Sequence, residues 1–167
     1  KDDNINAFAT MGGFVYIHTG LIAAAENESE LASVVAHEIG HIAAQHAVQQ
    51  MKQRAIAQGV LSATGLGESN TVQIGVELAV SRPNSREDEL EADQKGLDSL
   101  TKAGYAPIGM VTFMEKLQQQ GGSPPAFLST HPATSDRIAA LKAQIQNPYQ
   151  GNGLNPRLYQ QRTSSLR

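Results

Sequence analysis

The sequence of 167 residues contains no cysteine. It therefore has no disulfide framework, and no thiolate can act as a nucleophile or as a metal ligand. Any metal ion would have to be bound by histidines and carboxylates. The sequence also lacks an apolar run of the roughly eighteen residues that a membrane-spanning helix needs. We therefore expect no membrane span in this chain.

An excess of basic residues is also missing, since the formal net charge is −3 at pH 7. Without a basic patch there is no electrostatic reason to expect a nucleic-acid partner. Hydrophobic residues make up 40 % and charged residues 17 %, which is typical of a folded globular domain. We predict a single domain over residues 1–167. The first residues, Lys1-Asp2-Asp3-Asn4, are not followed by an apolar region, so we expect no signal peptide within the chain.

The first third of the chain predicts a β-hairpin followed by a helix. Residues 12–18 alternate β-branched and aromatic side chains after a glycine pair, which favours a strand paired with residues 7–9 through a tight turn. Asn27 is a good N-cap, and apolar residues then recur with a period of 3.6. Because no proline interrupts the pattern, we predict one long helix that ends near Gly59.

The rest of the chain predicts further helices separated by segments rich in glycine and proline. Residues 60–83 are the hardest to interpret and include a short apolar segment at 72–80. The predicted elements are a helix from Asn84 or Ser85 to Ala103 capped by Gly104, a helix from Pro107 to about Gln120, a loop over 121–132, a helix over 134–146 and an irregular tail over 147–167. The fold class is therefore α+β and mainly α-helical, with a small N-terminal β-sheet.

The first long helix contains the stretch VAHEIGHIAAQH, which begins at Val35. Residues four apart project from nearly the same side of a helix. His37 and His41 can therefore direct two imidazole nitrogens at one metal ion, at roughly 2.0–2.1 Å each for zinc. Glu38 lies beside such an ion, where a general base can take a proton from the attacking water. This spacing indicates a metal-dependent hydrolase, although a five-residue pattern with three fixed positions also arises by chance.

Two other residues of this stretch have different roles. Gly40 costs about 1 kcal/mol relative to alanine inside a helix, so we expect another element to approach closely there. His46 follows His41 by five residues, and at about 100° per residue its side chain would point away from the histidine pair. We interpret His46 as a structural histidine.

A catalytic zinc site needs a third protein ligand and leaves one position for water. The remaining carboxylates are candidates, and so are the other histidines, His18, His46 and His131. The acidic stretch over residues 85–94 is the first place to look.

The acidic stretch has a simpler explanation as well, because carboxylates in a first turn favour the helix dipole. That explains Glu87 and Asp88 better than Glu89 and Asp93, which are four apart on one face. Such a pair can give one carboxylate to the metal and leave the other to hydrogen-bond the second ring nitrogen of a ligand histidine. Glu91 would face away into solvent.

The ordered set of motifs resembles a known family. His37-Glu38-Ile39-Gly40-His41 followed by Glu89-Leu90-Glu91-Ala92-Asp93 is similar to zinc metallopeptidase family 48, which includes HtpX, BepA, the mitochondrial Oma peptidase and the CaaX prenyl protease. The resemblance covers about residues 4–141 and is strongest to soluble BepA-like members. It implies a zincin-like metallopeptidase domain of the gluzincin type. One Zn²⁺ per chain would be bound by His37, His41 and Glu89, with Glu38 as general base and Asp93 hydrogen-bonded behind a ligand histidine.

The resemblance also gives meaning to two residues that otherwise look ordinary. His131 precedes a proline in a loop, and Arg137 lies in a predicted helix, so both would normally be surface residues. The resemblance implies that His131 either caps the zinc in a resting state or stabilises the oxyanion, and that Arg137 is a cation facing the site. We expect both to take part in catalysis.

The implied function is a zinc endopeptidase that hydrolyses unfolded or misassembled proteins. An extended substrate could pair with an edge strand over 14–18 or 7–9, although the hairpin could equally be structural.

The resemblance implies a bacterial periplasm or cell envelope location and envelope-protein assembly partners. The alternative is a chaperone-like assembly factor with a latent metal site. A purely structural zinc is disfavoured, because Glu38 would then have no role.

Overall fold

The computed structural model describes residues 2–57, 84–119 and 124–166. The predicted apolar segment at 72–80 and the predicted helix ends at Gly59 and Gln120 lie outside these ranges. The described part is mainly α-helical with one small antiparallel sheet, which confirms the predicted fold class. Its elements are β1 (Ala7–Ala9), β2 (Val15–Ile17), α1 (Thr19–Ala24), α2 (Glu28–Ala43), α3 (His46–Ala57), α4 (Arg86–Lys102), α5 (Ile108–Gln119), α6 (Ala126–Thr130), α7 (Ser135–Gln144) and α8 (Pro156–Thr163).

The predicted N-terminal hairpin is present, with a shorter second strand than expected. β1 and β2 pair antiparallel, so that Ala7 lies opposite Ile17 and Ala9 lies opposite Val15. The turn closes through a hydrogen bond from the Gly13 amide to the Thr10 carbonyl, at 3.0 Å. Gly13 has φ +81°, a conformation that favours glycine.

Helix α2 begins as predicted, because the Asn27 side chain accepts a hydrogen bond from the Glu30 amide at 3.0 Å. The prediction of one helix to Gly59 is wrong. The helix ends at Ala43, and Gln45 adopts the left-handed conformation with φ 58° before α3 begins at His46. Left-handed backbone is rare for a residue with a side chain, and neither glycine nor proline marks this position. Periodicity alone therefore gave no sign of the break.

Helices α2 and α4 cross at small residues, which brings their backbones together. Gly40 lies against the Ala92 backbone, and Gly96 lies against the backbone of Ala36 and His37. Helix α4 begins with a capping box formed by Ser85 and Asp88. At this crossing, polar side chains of the two helices lie close together.

Helix α2 lies between two apolar clusters that hold it in place. One cluster includes Leu21, Phe113 and Phe127, and the other is built largely from α4, α5 and α7. Burial of this apolar surface supplies the main stabilisation of the helix, since the hydrophobic effect is proportional to the area removed from water. The site residues on α2 are therefore fixed to a packed scaffold.

Two segments predicted to be irregular contain helices. The predicted loop over 121–132 includes α6, and the predicted tail over 147–167 includes α8. Helix α8 is capped by the Asn155 side chain, and its Tyr159 is buried with the hydroxyl donating to the Ile22 carbonyl at 2.7 Å. The glycine-rich composition of 147–155 hid a helix start that Asn155 and Pro156 in fact encode. No helix in the described ranges is both long enough and apolar enough to cross a bilayer.

Candidate active site

Four of the predicted site residues come together at the crossing of α2 and α4. His37 and His41 project from α2, Glu89 from the first turn of α4, and His131 from the segment between α6 and α7. All four are buried, and one nitrogen or oxygen atom from each lies within 4.8 Å of the others. We call these four residues the ligand cluster.

The spacing within the ligand cluster suits a single small metal ion. The His37 Nε2 atom lies 3.0 Å from His41 Nε2 and 3.3 Å from His131 Nδ1. Glu89 oxygens lie 3.2 Å from His41 Nε2, 3.4 Å from His37 Nε2 and 3.0 Å from His131 Nδ1. Four atoms that surround zinc tetrahedrally at roughly 2.0–2.1 Å are separated from one another by about 3.3 Å. The residues present therefore fit zinc, in donor type and in spacing.

The buried Glu38 Oε1 atom accepts no hydrogen bond within the described ranges. Leaving a buried carboxylate oxygen without a partner is costly, so such atoms usually have a functional reason. A water molecule or substrate would satisfy the Glu38 oxygen.

Glu38 lies at a cavity of about 300 Å³ that gives access to the cluster. The cavity is bordered by the hairpin turn on one side and by the start of α3 on the other, and His41 and His131 also line it. The Glu38 Oε1 atom is 3.4 Å from His131 Nε2. A molecule in this cavity would therefore meet both the Glu38 carboxylate and the ligand cluster.

Asp93 and Arg137 form a buried ion pair next to the ligand cluster. The His37 Nδ1 atom lies 2.9 Å from Asp93 Oδ1. The buried Arg137 side chain donates two hydrogen bonds of 2.7 Å to Asp93, and its Nη1 atom donates to the Pro132 carbonyl and lies 2.5 Å from Glu89 Oε2. Arg137 thus contacts the site through these two carboxylates.

Burial and neighbouring charges set the protonation of the cluster. Burial alone would lower the pKa of His37, but Glu89 and Asp93 outweigh it and raise the pKa to about 10. Burial, together with the charges of His37 and His131, lowers the pKa of His41 to about 3, although Glu89 opposes this. Burial would raise the pKa of Glu89, but His37 and His131 lower it well below its usual range. At neutral pH His41 and Glu89 are therefore already in the form that binds a metal.

The expectation that His46 points away from the site is wrong. His46 is 2 % exposed, and its Nδ1 atom lies 2.8 Å from the Nδ1 atom of His41. The helix is interrupted at Gln45, so the angle expected from a continuous helix does not apply. Glu91 is exposed, as expected, and its Oε2 atom lies 3.3 Å from His46 Nε2.

Sequence reasoning assigned no site role to Asn84, which the structure brings into the cluster. Its side-chain amide donates a 2.8 Å hydrogen bond to Glu89 Oε1 and lies 3.2 Å from His131 Nδ1. Its backbone amide donates to the Thr130 carbonyl at 3.1 Å. Asn84 therefore ties the segment carrying His131 to the start of α4. The sequence marked this position only as a helix start.

Comparison with known proteins agrees with this geometry. Residues 1–145 match peptidase family M48. The chain is 34 % identical over 155 residues to the beta-barrel assembly-enhancing protease of Escherichia coli K12, covering 83 % of this chain and 32 % of that protein. It is 36 % identical over 142 residues to the mitochondrial metalloendopeptidase OMA1 of Arabidopsis thaliana, covering 82 % and 29 %, and 31 % identical over 150 residues to the metalloprotease YcaL of Escherichia coli K12, covering 85 % and 59 %.

The chain spans about a third of the length of the first two relatives, 32 % and 29 %. The matched region nevertheless contains every residue of the ligand cluster together with Glu38, Asp93 and Arg137. The resemblance drawn from the sequence motifs is thus confirmed. The chain belongs to peptidase family M48.

Proposed function

We propose that this chain is a zinc-dependent endopeptidase domain that hydrolyses peptide bonds of unfolded or misassembled proteins. One observation carries the proposal: His37, His41 and Glu89 converge within metal-binding distance beside a buried Glu38 carboxylate that faces an open cavity. Two histidines and one carboxylate are the ligand set of several zinc peptidases. Family membership supports the same function.

In this proposal the metal is bound by His37, His41 and Glu89. Zinc at that position would polarise the scissile carbonyl and lower the pKa of the attacking water to about 7. Glu38 accepts the proton of that water, because its Oε1 atom is buried at the cavity and accepts no hydrogen bond in the described ranges. Glu38 then returns the proton to the leaving amine. Asp93 holds the ring of His37 in the orientation needed for binding.

We assign His131 both expected roles in succession, first as a cap on the ion in the resting state and then, once displaced, as a group that stabilises the oxyanion. Its Nδ1 atom lies as close to His37 and Glu89 as the ligand atoms lie to one another, so it can fill the fourth position around the ion. Displacement of His131 would open that position to water. Its Nε2 atom already lies on the Glu38 side of the cluster, where it could then stabilise the developing oxyanion.

Arg137 acts in this proposal through the carboxylates that it contacts. Its guanidinium compensates the buried negative charge of Asp93 and Glu89 and fixes the orientation of Asp93. It is a positioning residue, because no contact in the described ranges brings its side chain into the cavity.

The hairpin is the proposed guide for an extended substrate. Ala9 and the turn over residues 10–13 line the cavity next to Glu38. Pairing of a peptide backbone with a strand edge gives affinity with little demand on sequence, which suits unfolded substrates.

The name of the relative from Escherichia coli supports a bacterial envelope location and barrel-assembly partners. The mitochondrial relative supports a different compartment.

A second candidate function is a chaperone-like assembly factor with a latent metal site. The position of His131 favours it, because a fourth protein ligand would close the coordination sphere to water. The two candidate functions predict different effects on peptidase activity when the His131 side chain is removed. For a capped enzyme, His131→Ala raises peptidase activity above that of the wild type or abolishes it through lost oxyanion stabilisation. For a latent module, the variant shows the same background cleavage as the wild type.

The proposed function is tested by comparing the wild type with Glu38→Gln. We expect both proteins to bind about one zinc ion, and we expect Glu38→Gln to cleave unfolded casein at least about 100-fold more slowly, because a positioned general base contributes about that much. Glu87→Gln is the matched control, since Glu87 is exposed in the first turn of α4. Equal cleavage by the wild type and Glu38→Gln would overturn the proposal.

A further inference from the structure

The contact between His41 and His46 is a buried hydrogen bond that the proposed ligand set does not use. Their Nδ1 atoms are 2.8 Å apart, and the rings meet nearly edge to face with centroids 5.0 Å apart. The Nε2 atom of His41 points to the other ligands, 3.0 Å from His37 and 3.2 Å from Glu89. The two nitrogens of His41 therefore face different partners.

The positions of the protons follow from this arrangement. A histidine that binds a metal through Nε2 is neutral and carries its proton on Nδ1. The Nδ1–H group of His41 must then donate, so the Nδ1 atom of His46 must accept. An accepting Nδ1 leaves the His46 proton on Nε2, and that atom lies 3.3 Å from a carboxylate oxygen of Glu91. Every polar atom along this path then has a partner of the right kind.

The break in the helix is what makes the contact. In a continuous helix, a residue five positions after His41 would be turned by about 140° away from it. The left-handed Gln45 instead changes the direction of the chain, and hydrogen bonds from the Ala44 and Gln45 amides to the Gly40 and Ile42 carbonyls close the turn. An unfavourable conformation at a residue with a side chain persists only when the surrounding structure stabilises it. Here it returns the His46 ring to the cluster.

The two ligand histidines are thus supported in different ways. His37 is held by the carboxylate of Asp93, which Arg137 neutralises. His41 is held by a neutral imidazole, and the nearest carboxylate of that path, Glu91, is half exposed. The group that supports His41 therefore adds no buried charge of its own.

We propose that His46 is a positioning residue for metal binding, that it fixes the tautomer and ring orientation of His41, and that Glu91 orients His46 in turn. This inference rests on the proposed metal site. It predicts that the partner of His41 matters for zinc affinity although it does not touch the ion. Groups that orient a ligand histidine typically change metal affinity by about 10- to 100-fold when they are removed.

The test measures zinc affinity by competition with a chromogenic chelator in three proteins. The wild type is compared with His46→Leu, which removes the acceptor, and His46→Asn, whose side-chain oxygen can occupy the Nδ1 position. We expect His46→Leu to bind zinc about 10- to 100-fold more weakly and His46→Asn to lie within about threefold of the wild type. Thermal unfolding of the metal-free proteins checks that each variant folds.

A spectroscopic signature separates positioning from packing. In the zinc-loaded wild type and in His46→Asn, we expect a slowly exchanging ring N–H resonance from His41 Nδ1, because that group is buried and hydrogen-bonded. His46→Leu should lose this protection. Glu91→Gln should weaken zinc binding by a smaller factor in the same direction, whereas Glu87→Gln on the same helix should leave it unchanged.

The outcomes distinguish this inference from the proposed function. If the wild type and His46→Leu bind zinc equally, or if His46→Asn loses as much affinity as His46→Leu, the inference is overturned and the proposed function stands. If the wild type binds no zinc, the proposed function itself fails.

Discussion

Gly40 and Ala92 are in backbone contact where helices α2 and α4 cross. A Cβ atom placed on Gly40 would lie 2.5 Å from the Ala92 carbonyl oxygen and 3.0 Å from its Cα atom. The contact is with backbone, so no rotation of a side chain can relieve it. The distance between the two helices, and with it the distance between the histidines and Glu89, therefore depends on the absence of a side chain at Gly40, as it does at Gly96.

Gly40→Ala should destabilise the protein despite the better helix propensity of alanine. Alanine would gain about 1 kcal/mol by propensity, but the overlap must push the helices apart at a typical cost of about 1–3 kcal/mol. We expect a net loss in the free energy of unfolding in urea, together with weaker zinc binding. Gln94→Ala, at an exposed position on α4, should have little effect on either. Unchanged stability and affinity in Gly40→Ala would show that the crossing is not held at this distance.

Asp93→Asn should weaken metal binding without disrupting the ligands themselves. The asparagine keeps the size of the side chain but loses the charge that orients His37 and raises its basicity. We expect about a 10- to 100-fold loss of zinc affinity, measured by chelator competition. The matched control is Asp98→Asn, because Asp98 is exposed and lies more than one turn further along α4. This variant should bind zinc as the wild type does.

Arg137→Met should be strongly destabilising, because it leaves buried carboxylates without compensation. Removal of one partner from a buried ion pair typically costs about 3–5 kcal/mol. Arg86→Met is the control, since Arg86 pairs with Asp136 at 2.7 Å but both side chains are largely exposed. An exposed pair contributes only about 0–1 kcal/mol. Similar unfolding free energies for the two variants would contradict the assigned role of Arg137.

Zinc binding near neutral pH should release about one proton per chain. The metal-free His37 is protonated below its raised pKa of about 10, and it must become neutral to bind. His41, with a pKa of about 3, is already neutral, and Glu89 is already ionised. Calorimetric titration in buffers of different ionisation enthalpy should therefore give a slope of about one proton. The apparent affinity should rise about tenfold per pH unit until about pH 10. A binding enthalpy that is independent of the buffer would contradict this.

The parts of the site that the sequence predicted are those encoded by local spacing. His37 and His41 are four residues apart on one helix, as are Glu89 and Asp93, so a helix alone brings each pair to one face. Gly40 signalled the close approach of another element through its small size. The N-caps at Asn27 and Ser85 fixed where both helices begin.

The parts that the sequence did not predict depend on tertiary structure. The left-handed Gln45 has no local signal, so the position of His46 could not be read from periodicity. Asn84 reaches Glu89 and His131 only because two distant segments pack together. The burial of Tyr159 stabilises a helix in a segment whose composition favours a loop.

The ligand cluster has a further consequence for a chain that contains no cysteine. It joins three segments that are far apart in sequence, and its two outermost histidines, His37 and His131, are separated by 94 positions. Holding such distant points together removes conformational freedom from the unfolded chain, as a disulfide across a long loop does. A metal bound by these residues would thus cross-link the domain in the way that a disulfide does. Its loss would loosen the connection between the first and last thirds of the chain.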